Sequence, residues 1–242
     1  MAERAHAPGG VLITRPEPGA QDTATRVAAL GFTPIAAPML AIRPLPARLP
    51  AKIQAVLLTS ANALSALPPA LHPLPLLAVG DATAARARAA GFASVTSANG
   101  DATALAALVA RCLTPANGAL LLPAARGEGM ALARLLRAAG FAVQRRTVYV
   151  ALPQNMLAPS AAEALSRGTV AAALFFSAAT ARQFAALLPA ALPVACLQAV
   201  DALALSAAVA APLAALPWRR LRVAARPTQD ALLTLLADPN HE

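Results

Sequence analysis

The feature that most constrains this chain is a repeat in its pattern of elements. Short apolar runs of strand type alternate with alanine-rich helical stretches, and the alternation recurs in two forms. The shorter form is strand, loop with an arginine, helix, glycine, Phe, strand. It runs Val11–Pro38 and again Ala119–Val150, and Gly31-Phe32 matches Gly140-Phe141. The longer form runs Ala55–Cys112 and again Ala171–Leu236. Within it Ser60 corresponds to Ser177, Gly80 to Gln198, Thr83 to Asp201, and Asp101–Leu105 to Thr228–Leu232. Strands alternating with helices predict parallel sheets covered on both faces. The order short, long, short, long predicts two equal domains.

The repeat does not say which short form packs on which long one. A plain tandem puts the boundary near Thr114–Asn117. An exchanged arrangement makes the chain cross between domains twice, near Met39–Pro50 and Ala151–Pro159. Both of those segments are proline-rich and read as extended, which favours exchange with the two segments as interdomain ribbons. In either arrangement the ligand is expected in the cleft, outside the carboxyl ends of the strands.

Local signals place the candidate groups. Leu76–Val79 reads as a buried strand, Gly80 as a sharp bend, and Ala84–Ala90 as a helix stopped by Gly91. Asp81 and Thr83 have side chains that can satisfy the first helical N–H groups, and such a joint suits a carboxylate or phosphate. Ala55–Thr59 is a strand, and Ser60 caps a helix that runs to Leu67 and includes Asn62. Asp101 caps the helix Ala102–Cys112. Arg15 follows the strand Val11–Thr14. Arg126-Gly127-Glu128-Gly129 follows the strand Ala119–Leu122 and precedes the helix Met130–Ala139. Tyr149, the one tyrosine, falls near the end of the strand Phe141–Val150. Ser160–Glu163 has the form of a capping box. Ser177 opens the helix Ala178–Leu188 after the strand Val170–Phe176. Val194–Leu197 reads as a strand, Asp201–Ala210 as a helix capped by Asp201, Leu221–Ala224 as the last strand, and Gln229–Leu236 as a helix capped by Thr228. Met1–Gly10 reads as a loose start.

Charge narrows the ligand. The net charge is +9, and Lys52 is the single lysine, so nearly all the positive charge is arginine. Arginine meets carboxylate and phosphate in a planar fork, which points to an anionic partner. Aromatics are only 3%, too few for the stacking surfaces of a nucleic-acid binder. Cys112 and Cys196 are far apart and lack metal-ligand spacing, so no metal site is predicted and a reducing cytoplasm is the natural compartment. Glu3, Arg4 and His6 interrupt the start, which therefore does not read as a signal peptide. Ala199–Pro217 is mostly alanine, contains Asp201 and Pro212, and does not read as a membrane span.

In order and spacing these motifs resemble the uroporphyrinogen-III synthase family. The matching stretches are Ile13-Thr14-Arg15-Pro16, Leu58–Ala63, Val79–Ala84, Arg126-Gly127, Val148-Tyr149 and Phe176-Ser177. The resemblance covers nearly the whole chain. It implies two flavodoxin-like α/β domains with parallel sheets, joined by a two-stranded ribbon. Residues 1–38 plus 152–242 would form one domain and 39–151 the other, with linkers near 39–50 and 151–159. It implies a cytoplasmic lyase that cyclises hydroxymethylbilane, a linear tetrapyrrole polycarboxylate, with inversion of the last pyrrole and no metal or cofactor. The partner would be that small molecule, received from hydroxymethylbilane synthase by a monomer, with no nucleic acid and no membrane.

By resemblance Tyr149 hydrogen-bonds the leaving hydroxyl. Thr14, Arg15, Ser60, Asn62, Gly80, Thr83, Arg126, Ser177 and Asp201 would bind substrate. One departure stands out: the family repeats a glycine–threonine turn in the second long form, where this chain has Gln198 and Asp201. That departure leaves room for a diverged, non-catalytic member that binds an anion. A periplasmic solute-binding protein shares the two-lobed plan, but the start of the chain argues against it.

Overall fold

The computed structural model describes residues 9–50 and 52–237. The loose start read over Met1–Gly10 therefore lies, up to residue 8, outside the described residues. In chain order the elements are strand β1 (Gly10–Ile13), helix α1 (Gly19–Ala29), and strands β2 (Thr33–Ala36), β3 (Leu40–Pro44) and β4 (Ile53–Leu58). Then come β5 (Leu76–Ala78), α2 (Asp81–Ala89), β6 (Val95–Ser97), α3 (Ala102–Cys112), β7 (Ala119–Ala125), α4 (Met130–Ala138) and β8 (Val143–Pro153). The remainder is α5 (Pro159–Ser166), β9 (Val170–Phe175), α6 (Ala178–Ala191), β10 (Asp201–Ala204), α7 (Ala207–Ala210), β11 (Arg220–Val223) and α8 (Gln229–Ala237). Short 3-10 turns occupy Ala61–Ala66, Pro69–Leu71, Pro115–Asn117, Val194–Ala199 and Ala211–Leu213.

The chain divides into two compact units, one of residues 1–41 and 152–242, the other of residues 42–151. In the first unit the strand order is β11-β10-β9-β1-β2, and each pairing is parallel. Numbered within the unit, that is the doubly wound order 2-1-3-4-5 read from the β2 edge. The sheet is buried on both faces because successive residues of each strand point to opposite sides. Leu12, Ala173, Phe175, Ala202 and Ala204 pack with Ala161 and Leu165 of α5 and with Ala181, Phe184 and Leu188 of α6. Val11, Ile13, Ala172, Leu174 and Leu203 pack with Val27 of α1 and with Leu232, Leu233 and Leu236 of α8. Trp218 closes one end of the first layer. It stacks on Phe184 with ring centroids 5.7 Å apart, and its indole N–H donates to the Leu213 carbonyl at 3.0 Å.

In the second unit the order is β3-β8-β7-β4-β5-β6, with β8, β7, β4, β5 and β6 parallel. Val56, Leu58, Leu76, Ala78 and Leu121 face α2 and the Ala61–Ala66 turn. Ala55, Leu57, Leu77, Leu120 and Leu122 face α3 and α4.

Three expectations are corrected. Val194–Leu197 forms a 3-10 turn, and Asp201–Ala204 is a strand between β9 and β11, so no helix begins at Asp201. An apolar run of four residues does not separate strand from turn by periodicity, and burial on both faces overrides the helix propensity of Asp-Ala-Leu-Ala. The repeat then aligns differently. Ser206, the residue before α7, stands where Gly80 precedes α2, and Val209 stands where Thr83 does. Finally, Ser160 lies inside α5 and does not cap it. The helix starts one residue earlier, at Pro159, whose fixed φ suits the first helical position.

Candidate active site

The strand carboxyl ends carry most of the sequence-predicted residues. In the second unit these come from β4, β5, β7 and β8. After β4 the chain turns at Ser60, whose Oγ accepts the Asn62 backbone N–H at 3.3 Å. Ser60 thus caps its short helix as expected, in 3-10 rather than α geometry. After β5, Gly80 precedes α2. Its backbone is extended (φ −149°, ψ 167°), so the freedom of glycine is not used for a bend, and a β-carbon there would meet nothing within 4 Å. Among the described residues no side chain caps α2, neither Asp81 nor Thr83, and the first helical bond is Ala84 N–H to the Gly80 carbonyl. The amides of Asp81, Ala82 and Thr83 therefore carry the positive end of the helix without an internal acceptor.

After β7, Gly127 (φ +82°) and Gly129 (φ +78°) take left-handed backbone and fold the Arg126–Gly129 loop tightly in front of α4. Arg126 is exposed on this loop and forms no ion pair among the described residues. Tyr149 lies on β8 opposite Ala125 and is buried at 3% exposure among Val56, Leu58 and Ala63. Burial pushes its phenol above the ordinary tyrosine value. The Ser60 side chain opposes the rise by hydrogen bonding, the Glu128 carboxylate adds to it, and the Asn62 side chain opposes it. Tyr149 shares its layer with Ala63 of the turn that Ser60 caps and that contains Asn62, which brings the three residues into one neighbourhood.

In the first unit the strand ends are more occupied. Thr14 is fully buried, and its hydroxyl donates to the Leu174 carbonyl at 2.7 Å, tying β1 to β9. Arg15 lies over the Phe176 ring at 4.4 Å and donates to Gln229 Oε1 at 2.9 Å and Thr23 Oγ1 at 3.4 Å. Gly19 makes room for it, since a β-carbon there would clash with the Arg15 guanidinium. Ser177 caps α6, accepting the Thr180 N–H at 3.2 Å.

Asp201 is the clear misplacement. It starts β10, at the amino ends of the strands, and lines a groove of about 1030 Å³ there with Gly10, Thr33, Thr169 and Arg219. Its carboxylate is held by Arg219 Nε at 2.7 Å and Arg220 Nη2 at 2.9 Å. Burial raises its pKa, but the hydrogen bonds and charges of the two guanidinium groups outweigh burial and leave it below the usual carboxylate range. An ion pair between two strands, at the far end of the sheet, explains this residue without a ligand.

Sequence reasoning passed over Arg145 on β8. It donates to the carbonyls of Ala125 (2.8 Å) and Glu128 and to Thr147 Oγ1 (3.3 Å). The polar run Gln144-Arg145-Arg146-Thr147 inside a strand was the available signal. Among the described residues no three His, Cys, Asp or Glu side chains gather to hold a metal ion, and no helix is long and apolar enough to cross a membrane.

Fold and site together define a parallel α/β protein with hydroxyls, free helix amides and one buried phenol at its strand ends. A family model described as uroporphyrinogen-III synthase HemD matches residues 21–234. The chain belongs to the uroporphyrinogen-III synthase family, the lyases of porphyrin biosynthesis. It is similar in structure to the uroporphyrinogen-III synthetase of Helicobacter pylori, at 17% identity and a TM-score of 0.60, over 94% of this chain and 98% of that one. The uroporphyrinogen III synthase of Thermus thermophilus also matches, at 22% identity and a TM-score of 0.42, over 95% and 96%. None of the curated proteins matches the chain by sequence.

Proposed function

We propose that the chain acts on hydroxymethylbilane through the strand ends of residues 42–151, with Tyr149 as the group that hydrogen-bonds the leaving hydroxyl. The observation that carries this reading is the packing of the buried phenol in one layer with Ala63, in the turn that Ser60 caps and that contains Asn62. A phenol kept protonated by burial can donate to a departing hydroxyl at neutral pH. The reaction breaks that carbon–oxygen bond, releases water, and lets the far pyrrole attack through a spiro intermediate, so the ring closes with its last pyrrole inverted. The electron-rich substrate supplies much of the reactivity. The protein has to hold the ends together and prevent closure without inversion, which is positioning and preorganised electrostatics.

The substrate carries eight carboxylates. The uncapped amides of α2 beside Gly80 and Thr83 and the exposed Arg126 are the groups we assign to them, while Ser177 serves as the cap of α6. Thr14 and Arg15 act as braces under this assignment, since their polar atoms are already engaged. Asp201 takes no part. We take the two units as flavodoxin-like domains joined by a ribbon of β3 and β8, and the protein as a cytoplasmic monomer fed by hydroxymethylbilane synthase.

The test is a coupled assay in which hydroxymethylbilane is made in situ and the oxidised products are separated as type I and type III isomers. A protein-dependent excess of type III supports the reading. Type I alone overturns it and favours a second one, a non-catalytic anion binder. The observation behind that alternative is that Ser206 and Val209 stand in the second long form where Gly80 and Thr83 stand in the first.

A further inference from the structure

We propose that Arg145 is a positioning residue for Tyr149: its guanidinium braces a bulge in β8 that turns the tyrosine onto the sheet face carrying Ser60 and Asn62. The role in catalysis rests on the reading above; the role in placing the side chain does not.

Strict alternation along β8 would put Tyr149 on the wrong face. Val143 packs with Leu120 and Leu122 against α3 and α4. Residues 145, 147 and 149 would follow it, while Val148 belongs to the opposite layer with Val56 and Leu58. The register breaks that rule. Ala124 pairs with Thr147, but Ala125 pairs with Tyr149, so Val148 has no partner on β7. Val148 and Tyr149 consequently lie in the same layer. Bulges of this kind re-aim a side chain at the cost of ladder bonds, and they need support.

Arg145 supplies it from both strands. On its own strand it reaches Thr147, the last residue before the bulge. On β7 it reaches the carbonyl of Ala125, the residue opposite Tyr149, and beyond it the carbonyl of Glu128. Three acceptors in a fork suit a planar guanidinium and exceed what one ammonium can span in that geometry. On the other side, the Leu45 N–H holds the Val148 carbonyl at 2.8 Å.

Because Tyr149 is the one tyrosine, ultraviolet difference titration near 295 nm follows this single phenol without substrate. Loss of a nearby positive charge disfavours the phenolate and raises its midpoint, so a fall in the midpoint reports exposure of the ring and not the missing charge. In Arg145→Met the phenol should leave its buried layer and ionise at a lower pH than in the unmodified protein, since burial is the largest cause of its raised value. Its kcat for the type III isomer should fall about 100-fold with KM within about twofold, the signature of misplacement without lost binding. Arg145→Lys should be intermediate in both. Arg137→Met is the control: Arg137 ties α4 to the start of the same strand through the Val143 carbonyl at 2.9 Å, away from the bulge, and should change neither readout.

A wild-type midpoint and kcat in Arg145→Met overturn the proposal, as do equal shifts in the Arg145 and Arg137 variants. If circular dichroism shows Arg145→Met unfolded, Arg145→Lys and Thr147→Val decide by the same midpoints. If the unmodified protein makes no type III isomer, the synthase reading fails while the titration still decides whether Arg145 places Tyr149.

Discussion

Replacing Tyr149 with Phe keeps the buried ring and removes one hydroxyl. The expected outcome is a folded protein whose kcat for the type III isomer is about 100-fold lower, measured by isomer separation, with the spontaneous type I product unchanged. Burial raises the Tyr149 pKa, so the donor stays protonated past the ordinary value of about 10, and the rate should decline only above that pH. Stability follows the same sign: an unfolded tyrosine ionises first, so the folded state weakens as pH rises through that range. Asp201 has the opposite sign. Its folded pKa is depressed, so its contribution is present above about pH 4 and is lost as pH falls through the folded value. Asp201→Asn should lower stability by about 2 kcal/mol in denaturant titration at pH 7 and leave turnover unchanged. These two residues show how far side chains are legible in a sequence. That Tyr149 lies on a strand was legible because it sits in a run of strand type, although β8 continues to Pro153 beyond the predicted end at Val150. Asp201 was not, because its partners Arg219 and Arg220 lie at the next strand, and pairing across a sheet leaves no local spacing.

Elements with a cap or a glycine stop were legible: Asp101 before α3 and Ser60 before its turn stand where their side chains satisfy backbone N–H groups. Elements without such punctuation were not. Alanine and leucine fill both strands and helices here, so β10 read as a helix and only the neighbouring strands reveal its state. The bulge in β8 was equally hidden, since an inserted residue looks like any other until its partner strand is known. The joint between β5 and α2 yields an element-scale prediction. Gly80 has ordinary extended backbone and open space at its β-carbon, so Gly80→Val should lower the melting temperature by no more than about 4 °C, the cost of a poorer residue at the start of α2. The new side chain would stand over the free amides of α2, and KM for hydroxymethylbilane should rise about tenfold in steady-state kinetics. A large fall in melting temperature would remove the argument that this glycine is kept for the ligand.

For the molecule as a whole, a net charge of +9 faces a substrate with eight carboxylates. Raising the ionic strength from about 0.05 M to 0.5 M should increase KM several-fold while kcat stays level, because screening weakens capture more than a buried proton donor. The plan of two α/β units was legible in the repeat, and the two proline-rich segments already favoured pairing the first short form with the last long one, which the strand order of the first sheet displays. That order has a consequence for synthesis. Thr14, directly after β1, bonds the Leu174 carbonyl across 160 residues, while β4 to β8 find their partners within one continuous stretch. On a ribosome adding about 5–20 residues per second, β1 and β2 wait roughly 10–30 s for β9, and the second unit is complete before they are sheltered. A released chain truncated after residue 151 should therefore expose Val11–Ile13 to protease while Leu120–Leu122 is already protected.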